Sequence, residues 1–101
     1  MTQAITITRT DETSHGAYSA ELPGADRPAV LTWQAMGPLR IADHTFVPSV
    51  MRGAGVAQQL VEALIADARA QGFKIVPQCS YVEAQFRRHP EWADLLATPD
   101  N

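Results

Sequence analysis

The sequence predicts a single α+β domain in which antiparallel strands come first and two helices follow. Three observations lead to this fold class. Apolar and polar residues alternate through the first half of the chain, as they do in half-buried strands. After Pro48 the apolar residues recur at helical spacing instead. The chain has 101 residues, which is enough for one hydrophobic core and too few for two, so residues 1–101 are expected to form one domain.

Four strands are predicted before Pro48. Turn-forming residues separate them, with a polar run at 11–14, a Pro-Gly pair at 23–24 and a Gly-Pro pair at 37–38. Because these connections are short, an antiparallel meander is favoured. The predicted strands cover residues 4–9, 16–22, 29–35 and 39–47.

Two helices and a short strand are predicted after Pro48. The first helix covers residues 53–71 and ends at Gly72, a residue type that readily takes the left-handed cap. A strand over Lys74–Pro77 follows. The second helix is predicted over residues 81–88, with Ser80 as its N-cap and an end imposed by the His-Pro pair that comes next.

Composition and charge exclude several classes of function. The net charge is −3 at pH 7 and no basic stripe emerges, which argues against nucleic acid as a partner. No apolar run approaches the ~18 residues of a membrane helix, and the N-terminus has no export signal, so we expect no membrane partner and a soluble cytoplasmic protein. Cys79 is the only cysteine and cannot form an intrachain disulfide. The histidines and Cys79 lack metal-ligand spacing, so no metal is expected.

The most informative segment is the junction between the fourth strand and the first helix. Glycines here let backbone N–H groups approach an anion, and the first amides of a helix lack internal partners and carry the positive end of its dipole. Arg52 adds a planar, permanently charged donor that suits phosphate. The alternative interpretation is a glycine-rich turn that only opens a helix. The candidate pyrophosphate site consists of Arg52, Gly53, Ala54, Gly55, Val56 and Ala57.

Two common phosphate-binding motifs do not fit this junction. A nucleotide P-loop requires Gly-Lys-Ser or Gly-Lys-Thr, which is absent. A dinucleotide fingerprint requires a third small residue where Gln58 stands, within a parallel βαβ unit. The remaining pattern, Arg/Gln-x-x-Gly-x-Gly/Ala, is satisfied by Arg52, Gly55 and Ala57. It is the pyrophosphate-binding motif of the GNAT superfamily of N-acetyltransferases, which the chain therefore resembles.

The downstream sequence is similar to small, stand-alone GNAT-like proteins, and the resemblance covers residues 41–92. It implies a minimal GNAT-like fold whose fourth and fifth strands splay apart, with the pantetheine arm of CoA in the gap. It places Phe46 and Val47 at the splayed edge and the CoA diphosphate at residues 53–57. The wider superfamily carries two helices after the first strand and two strands after the last helix, so the acceptor half is expected to be reduced here. The downstream motifs are Ile75-Val76-Pro77-x-Cys79-x-Tyr81-Val82 and Arg87-Arg88-His89-Pro90-Glu91-Trp92.

The resemblance also suggests roles for three side chains outside the motif. Cys79 follows the fifth strand near the expected thioester end of CoA, where a thiolate could accept an acetyl group; alternatively it packs as a small hydrophobic residue. His44 lies where many GNAT enzymes place a general base; alternatively it is a half-exposed strand histidine with Asp43 as a chance neighbour. Arg87 is a candidate contact of the CoA 3′-phosphate, or a solvated cation at a helix end.

Two classes of function follow from the resemblance. In the first, the protein is an N-acetyltransferase that moves an acetyl group from acetyl-CoA to an amine, and its reduced acceptor half suits a bulky acceptor such as a protein lysine. In the second, it is a non-catalytic CoA-binding module whose open side meets a protein partner.

Overall fold

Five strands form one sheet and lie in sequence order from edge to edge. The computed structural model describes residues 6–21, 26–49 and 55–97. Strands β1 to β4 pair antiparallel, and β5 pairs parallel with β4. The predicted meander and the predicted α+β class are therefore confirmed. The strands are β1 (Ile7–Asp11), β2 (His15–Ala20), β3 (Ala29–Met36), β4 (Leu39–Phe46) and β5 (Lys74–Pro77).

Helix α1 spans Val56–Gln71 and ends, as predicted, at Gly72. Gly72 is left-handed with a φ of 83°, and its amide donates to the carbonyl of Ala68. The helix begins later than the predicted residue 53, because Gly55 has a left-handed conformation with a φ of 75°. A residue with this geometry cannot continue a right-handed helix, so Gly55 is the N-cap.

Helix α2 spans Ser80–Arg88, and a 3₁₀ helix over Pro90–Leu95 follows it. The prediction that Ser80 is the N-cap was wrong. Cys79 occupies that position, since its backbone is extended and its carbonyl accepts the first helical hydrogen bond from the amide of Glu83 at 3.0 Å. The predicted end of α2 before Pro90 is confirmed, and proline is well tolerated where it opens the next helix.

Helix α1 covers one face of the sheet. Along β2 and β3 the side chains alternate between buried and partly exposed positions, which is the period of a strand with one face in the core. The buried set includes Tyr18, Leu31 and Trp33, and these pack in one cluster with Leu60 and Leu64 of α1. Residues of α2 and of the 3₁₀ helix join the same cluster, so the described part of the chain has one core.

The opposite face of the sheet, here called the open face, carries the alternate side chains of β2 and β3. None of them is buried. The described helices all contribute to the core on the other side, so within residues 6–21, 26–49 and 55–97 no helix covers the open face. Its β2 and β3 residues are His15, Ala17, Ser19, Val30, Thr32 and Gln34.

Asp67 ties α1 to the first two strands. Its carboxylate accepts a hydrogen bond from Arg9 Nε at 2.9 Å and another from the Tyr18 hydroxyl at 2.8 Å. Burial and the hydrogen bond to Asp67 raise the pKa of Tyr18 well above its ordinary value, so this hydroxyl remains a donor. Tyr18 is the largest fully buried side chain among the described residues, and its hydroxyl has the hydrogen-bond partner that a buried hydroxyl requires.

Candidate functional site

Strands β4 and β5 pair over four residues and then separate. Leu39 to Ala42 face Lys74–Pro77, and the amide of Cys79 donates one further backbone hydrogen bond to the carbonyl of Ala42 at 2.8 Å. Pro77 has no amide to donate, and α2 begins at Ser80, so the parallel ladder cannot continue. Residues 43–46 of β4 run on without a strand partner on this side in the described part of the chain. The space between them and the start of α2 is called the strand gap below.

A β-bulge lies in β4 beside the strand gap. Thr32 pairs with His44 while Trp33 pairs with Ala42, so Asp43 is the extra residue. The Asp43 carboxylate accepts hydrogen bonds from the Thr32 hydroxyl at 2.6 Å and from Gln34 Nε2 at 2.8 Å. Both donors lie on the open face, and the bulge therefore turns Asp43 onto that face as well. Bulges of this kind re-aim side chains and are common beside active sites.

The environment of Asp43 keeps its carboxylate ionised. Partial burial opposes the charge, but the hydrogen bonds from Thr32 and Gln34 outweigh it and lower the pKa of Asp43 below its usual range. No role was predicted for Asp43 beyond that of a chance neighbour of His44. The available signal was the run of three polar residues at 43–45, which breaks the alternation expected of β4.

His44 is exposed and lies on the open face. It is the cross-strand partner of Thr32, and paired residues project from the same side of a sheet. It stands two positions beyond Ala42, where pairing with β5 stops. Its imidazole is thus accessible to an acceptor that approaches from the open face next to the strand gap.

Cys79 lies on the other side of β4. Its sulfur is 3.3 Å from the Thr45 hydroxyl, and Thr45 is the partner of the buried Leu31, so this contact is on the helix-covered face. The thiol is half-buried and packs against the core. His44 and Cys79 therefore flank the strand gap from opposite faces of the sheet.

The pKa of the Cys79 thiol is lower than its ordinary value. Burial alone would raise it, but the Thr45 hydroxyl and the amides of Val82, Tyr81 and Thr45 outweigh burial and favour the thiolate. The side chain makes no capping hydrogen bond of normal length to the first turn of α2. The nearby amides therefore act through their dipoles, in the manner of a helix N-terminus.

The N-terminus of α1 offers backbone donors. The first i to i+4 hydrogen bond of this helix runs from the amide of Gln59 to the carbonyl of Gly55 at 3.1 Å, so the amides of Val56, Ala57 and Gln58 precede it. In the described chain no side chain caps this end, and the first turn contains no acidic residue. These features fit a diphosphate, which needs donors and the absence of a competing anion. Arg52, Gly53 and Ala54 lie outside the described residues.

The sequence model of the GCN5-related N-acetyl-transferase family matches residues 17–95. The chain belongs to this family. The match begins in β2 and ends with the 3₁₀ helix, so it includes the strand gap, the bulge, the start of α1 and Cys79.

The connection between β1 and β2 is short in this member of the family. A three-residue turn joins β1 to β2, where the wider superfamily carries two helices. After α2, Leu96 forms a single bridge with Ile75 of β5. The described helices are too short or too polar to span a membrane, and the described side chains include no group of three or more His, Cys, Asp and Glu that could hold a metal.

The remaining candidate residues in the described part of the chain are Phe46, Val47 and Arg87. Phe46 is half-buried, with the Arg27 guanidinium 4.6 Å from its ring centre, and Val47 packs against the core. Phe46 is the last residue of β4 and Val47 follows it, and the contact of both with CoA stays a prediction. The Arg87 side chain is 71% exposed and pairs with Glu83 at 2.9 Å. A contact of Arg87 with the 3′-phosphate of CoA would replace that ion pair, and it stays a prediction.

Proposed function

We propose that this domain transfers an acetyl group from acetyl-CoA to an amine on a bulky acceptor such as a protein lysine. The observation that carries the proposal is the strand gap itself. It has the exposed imidazole of His44 on one face and the thiol of Cys79 on the other, and the donor-rich start of α1 is the next element after β4 in the chain. Family membership supports the class of reaction, and the uncovered open face supports a large acceptor.

The residues that would hold the cofactor are those at the start of α1 and along β4. Amides of Val56 and Ala57, with Gly55 and Arg52, bind the diphosphate. The backbone of residues 43–46, which has no strand partner on the β5 side among the described residues, can pair with the amide groups of pantetheine. Bound acetyl-CoA supplies an activated thioester: the amine N–C bond forms as the C–S bond breaks, CoA leaves as a thiolate, and the amine proton passes to a base.

His44 is the proposed base. It lies on the face from which the acceptor arrives, so it can take a proton from the amine directly or through one water. General bases of this kind typically contribute ~10²–10⁴-fold to the rate. Because His44 projects from β4, away from the start of α1, it should contribute little to CoA binding.

Cys79 has one of two roles in this scheme. As an acyl carrier, its thiolate accepts the acetyl group and a later step passes that group to the amine. As part of the pocket wall, it orients the thioester from the helix-covered face without forming a bond. The low pKa of the thiol supports the first role, and its position on the face opposite His44 supports the second.

The test is release of CoA from acetyl-CoA in the presence of a lysine peptide, followed across a range of pH. The wild-type rate should rise with pH, as expected of a reaction that needs a general base in its unprotonated form, and His44→Gln should remove that rise and lower the rate. His89→Gln, which removes an imidazole from the end of α2, should keep the pH profile.

Three results would contradict this scheme. An unchanged profile in His44→Gln would exclude His44 as base. Equal losses of rate and CoA affinity in that variant would make His44 a binding or structural residue. If the wild type binds CoA and transfers nothing to lysine peptides, polyamines or arylamines, the non-catalytic binding module becomes the function.

A further inference from the structure

A groove of about 790 Å³ crosses the open face of the sheet. It runs from the turn between β1 and β2, across β2 and β3, to the bulge in β4, and residues of all four strands line it. It is an open groove rather than an enclosed cavity. Its length across four strands suits an extended segment of polypeptide better than a compact metabolite, which proteins usually enclose.

The described part of this groove carries negative charge only. Glu12 and Asp43 line it, and no lysine or arginine is among its lining residues. Asp43 is held in place by Thr32 and Gln34, each bonded to a different carboxylate oxygen. Each oxygen has a second acceptor position, so the carboxylate can still bind a cation. A fixed, ionised carboxylate loses little entropy when it does so.

The groove leads to the proposed reaction site. Asp43 immediately precedes His44 in β4, and Thr32, another lining residue, is the cross-strand partner of His44. A peptide lying in the groove would therefore present a neighbouring side chain to His44 and the strand gap.

We propose that this groove binds the acceptor as a basic peptide, in which a cationic side chain next to the reacting lysine pairs with Asp43 and a second one, further along the peptide, pairs with Glu12 at the other end of the groove. This inference rests on the proposed function, because it names the acceptor class of the same site. In this proposal Asp43 binds the cationic side chain next to the reacting lysine and does not bind the reacting amine itself. A carboxylate beside the reacting ammonium would favour its protonated form, whereas the transfer requires the neutral amine.

The kinetic test compares two peptides that differ only beside the lysine, one with arginine and one with citrulline, its neutral analogue. The wild type should have a KM about twofold to fivefold lower for the arginine peptide, the range expected of a charge pair that is partly exposed to water. Asp43→Asn should reduce this preference, and Glu12→Gln should reduce the corresponding preference for a peptide whose arginine lies several residues from the lysine. Glu62→Gln removes the same charge from α1 and should leave the preference intact.

A binding test needs neither acetyl-CoA nor turnover. Titration of the wild-type protein with the arginine peptide should shift the NMR resonances of Ala17 and Thr32, and Asp43→Asn should weaken this binding. Glu12 lies in an exposed turn, so Glu12→Gln keeps the test valid if Asp43→Asn fails to fold.

Two results would contradict the proposal that this groove binds a basic peptide. One is an unchanged preference for arginine in both variants. The other is a set of shifts that maps instead to the apolar groove of about 350 Å³ formed by Val76, Pro77 and Phe86 beside β5. The experiments distinguish the two proposals. If the peptide binds in the groove in a charge-dependent way but no acetyl group is transferred, only the proposed function is wrong. If acetyl transfer occurs without a preference for the charged peptide, only the proposed role of the groove is wrong.

Discussion

Replacing Ala57 with aspartate puts a negative charge on the first turn of α1, where the sequence has none. If the CoA diphosphate binds there, Ala57→Asp should repel it. Two unit charges 4 Å apart interact by about 1 kcal/mol in water and about 4 kcal/mol at the effective dielectric of a protein surface. Relative to the neutral and nearly isosteric Ala57→Asn, the aspartate variant should lose roughly tenfold to a hundredfold in CoA affinity.

The same substitution should have the opposite effect on the free protein. A carboxylate at a helix N-terminus stabilises the helix by about 0.3–1 kcal/mol, so without CoA the Ala57→Asp variant should melt a few degrees above Ala57→Asn, since ~1 kcal/mol corresponds to ~4–8 °C in a domain of this size. Calorimetric titration with CoA and thermal unfolding followed by circular dichroism measure the two effects.

Measuring CoA affinity at several salt concentrations separates the electrostatic effect of the substitution from its steric effect. Raising the ionic strength should narrow the difference in CoA affinity between the two variants, because exposed charges are screened. Equal affinities for Ala57→Asp and Ala57→Asn at low salt would show that the diphosphate lies elsewhere. A higher affinity for the aspartate variant would refute the reasoning outright.

Three further predictions concern Cys79 and the sheet. Thr45→Val removes a donor to the Cys79 thiolate and should move the pH dependence of alkylation by iodoacetamide to higher pH, whereas Thr45→Ser should not. Identical curves for the two variants would show that the Thr45 hydroxyl does not lower the pKa of Cys79. Intact mass spectrometry after incubation with acetyl-CoA should show one acetyl adduct that Cys79→Ala abolishes; an adduct that persists must lie on another residue. Gly16→Ala should lower the melting temperature by roughly 5–15 °C, because a Cβ at this position collides with the Thr10 carbonyl and the Trp33 ring; an unchanged melting temperature would contradict the packing described here.

Periodic signals made most of the fold predictable. The strand Lys74–Pro77 has the predicted bounds, and Gly72 ends α1 as expected, because a left-handed cap strongly selects glycine. The start of α2 was misassigned, since serine is the commoner cap and the contacts that hold Cys79 come from β4. A local pattern does not contain contacts between segments that are distant in sequence.

The candidate site was predictable only in part. The resemblance placed the strand gap correctly, but the bulge at Asp43 depends on the register between β3 and β4, which no single strand encodes. The separation of His44 and Cys79 onto opposite faces depends on the same register. The binding roles of Arg52, Gly53 and Ala54 stay predictions from the motif alone.

The short turn between β1 and β2 makes this domain easy to extend. Thr13 has a φ of 75°, an unfavourable conformation for a β-branched residue, and all three turn residues are exposed. Each doubling of the length of a flexible loop costs only about 0.6 kcal/mol of loop-closure free energy. Extra residues here would therefore relieve the unfavourable backbone conformation of Thr13 with little loss of stability. Because Glu12 and Ser14 of this turn line the groove on the open face, a segment inserted here can be designed to extend that groove without altering the core on the opposite side of the sheet.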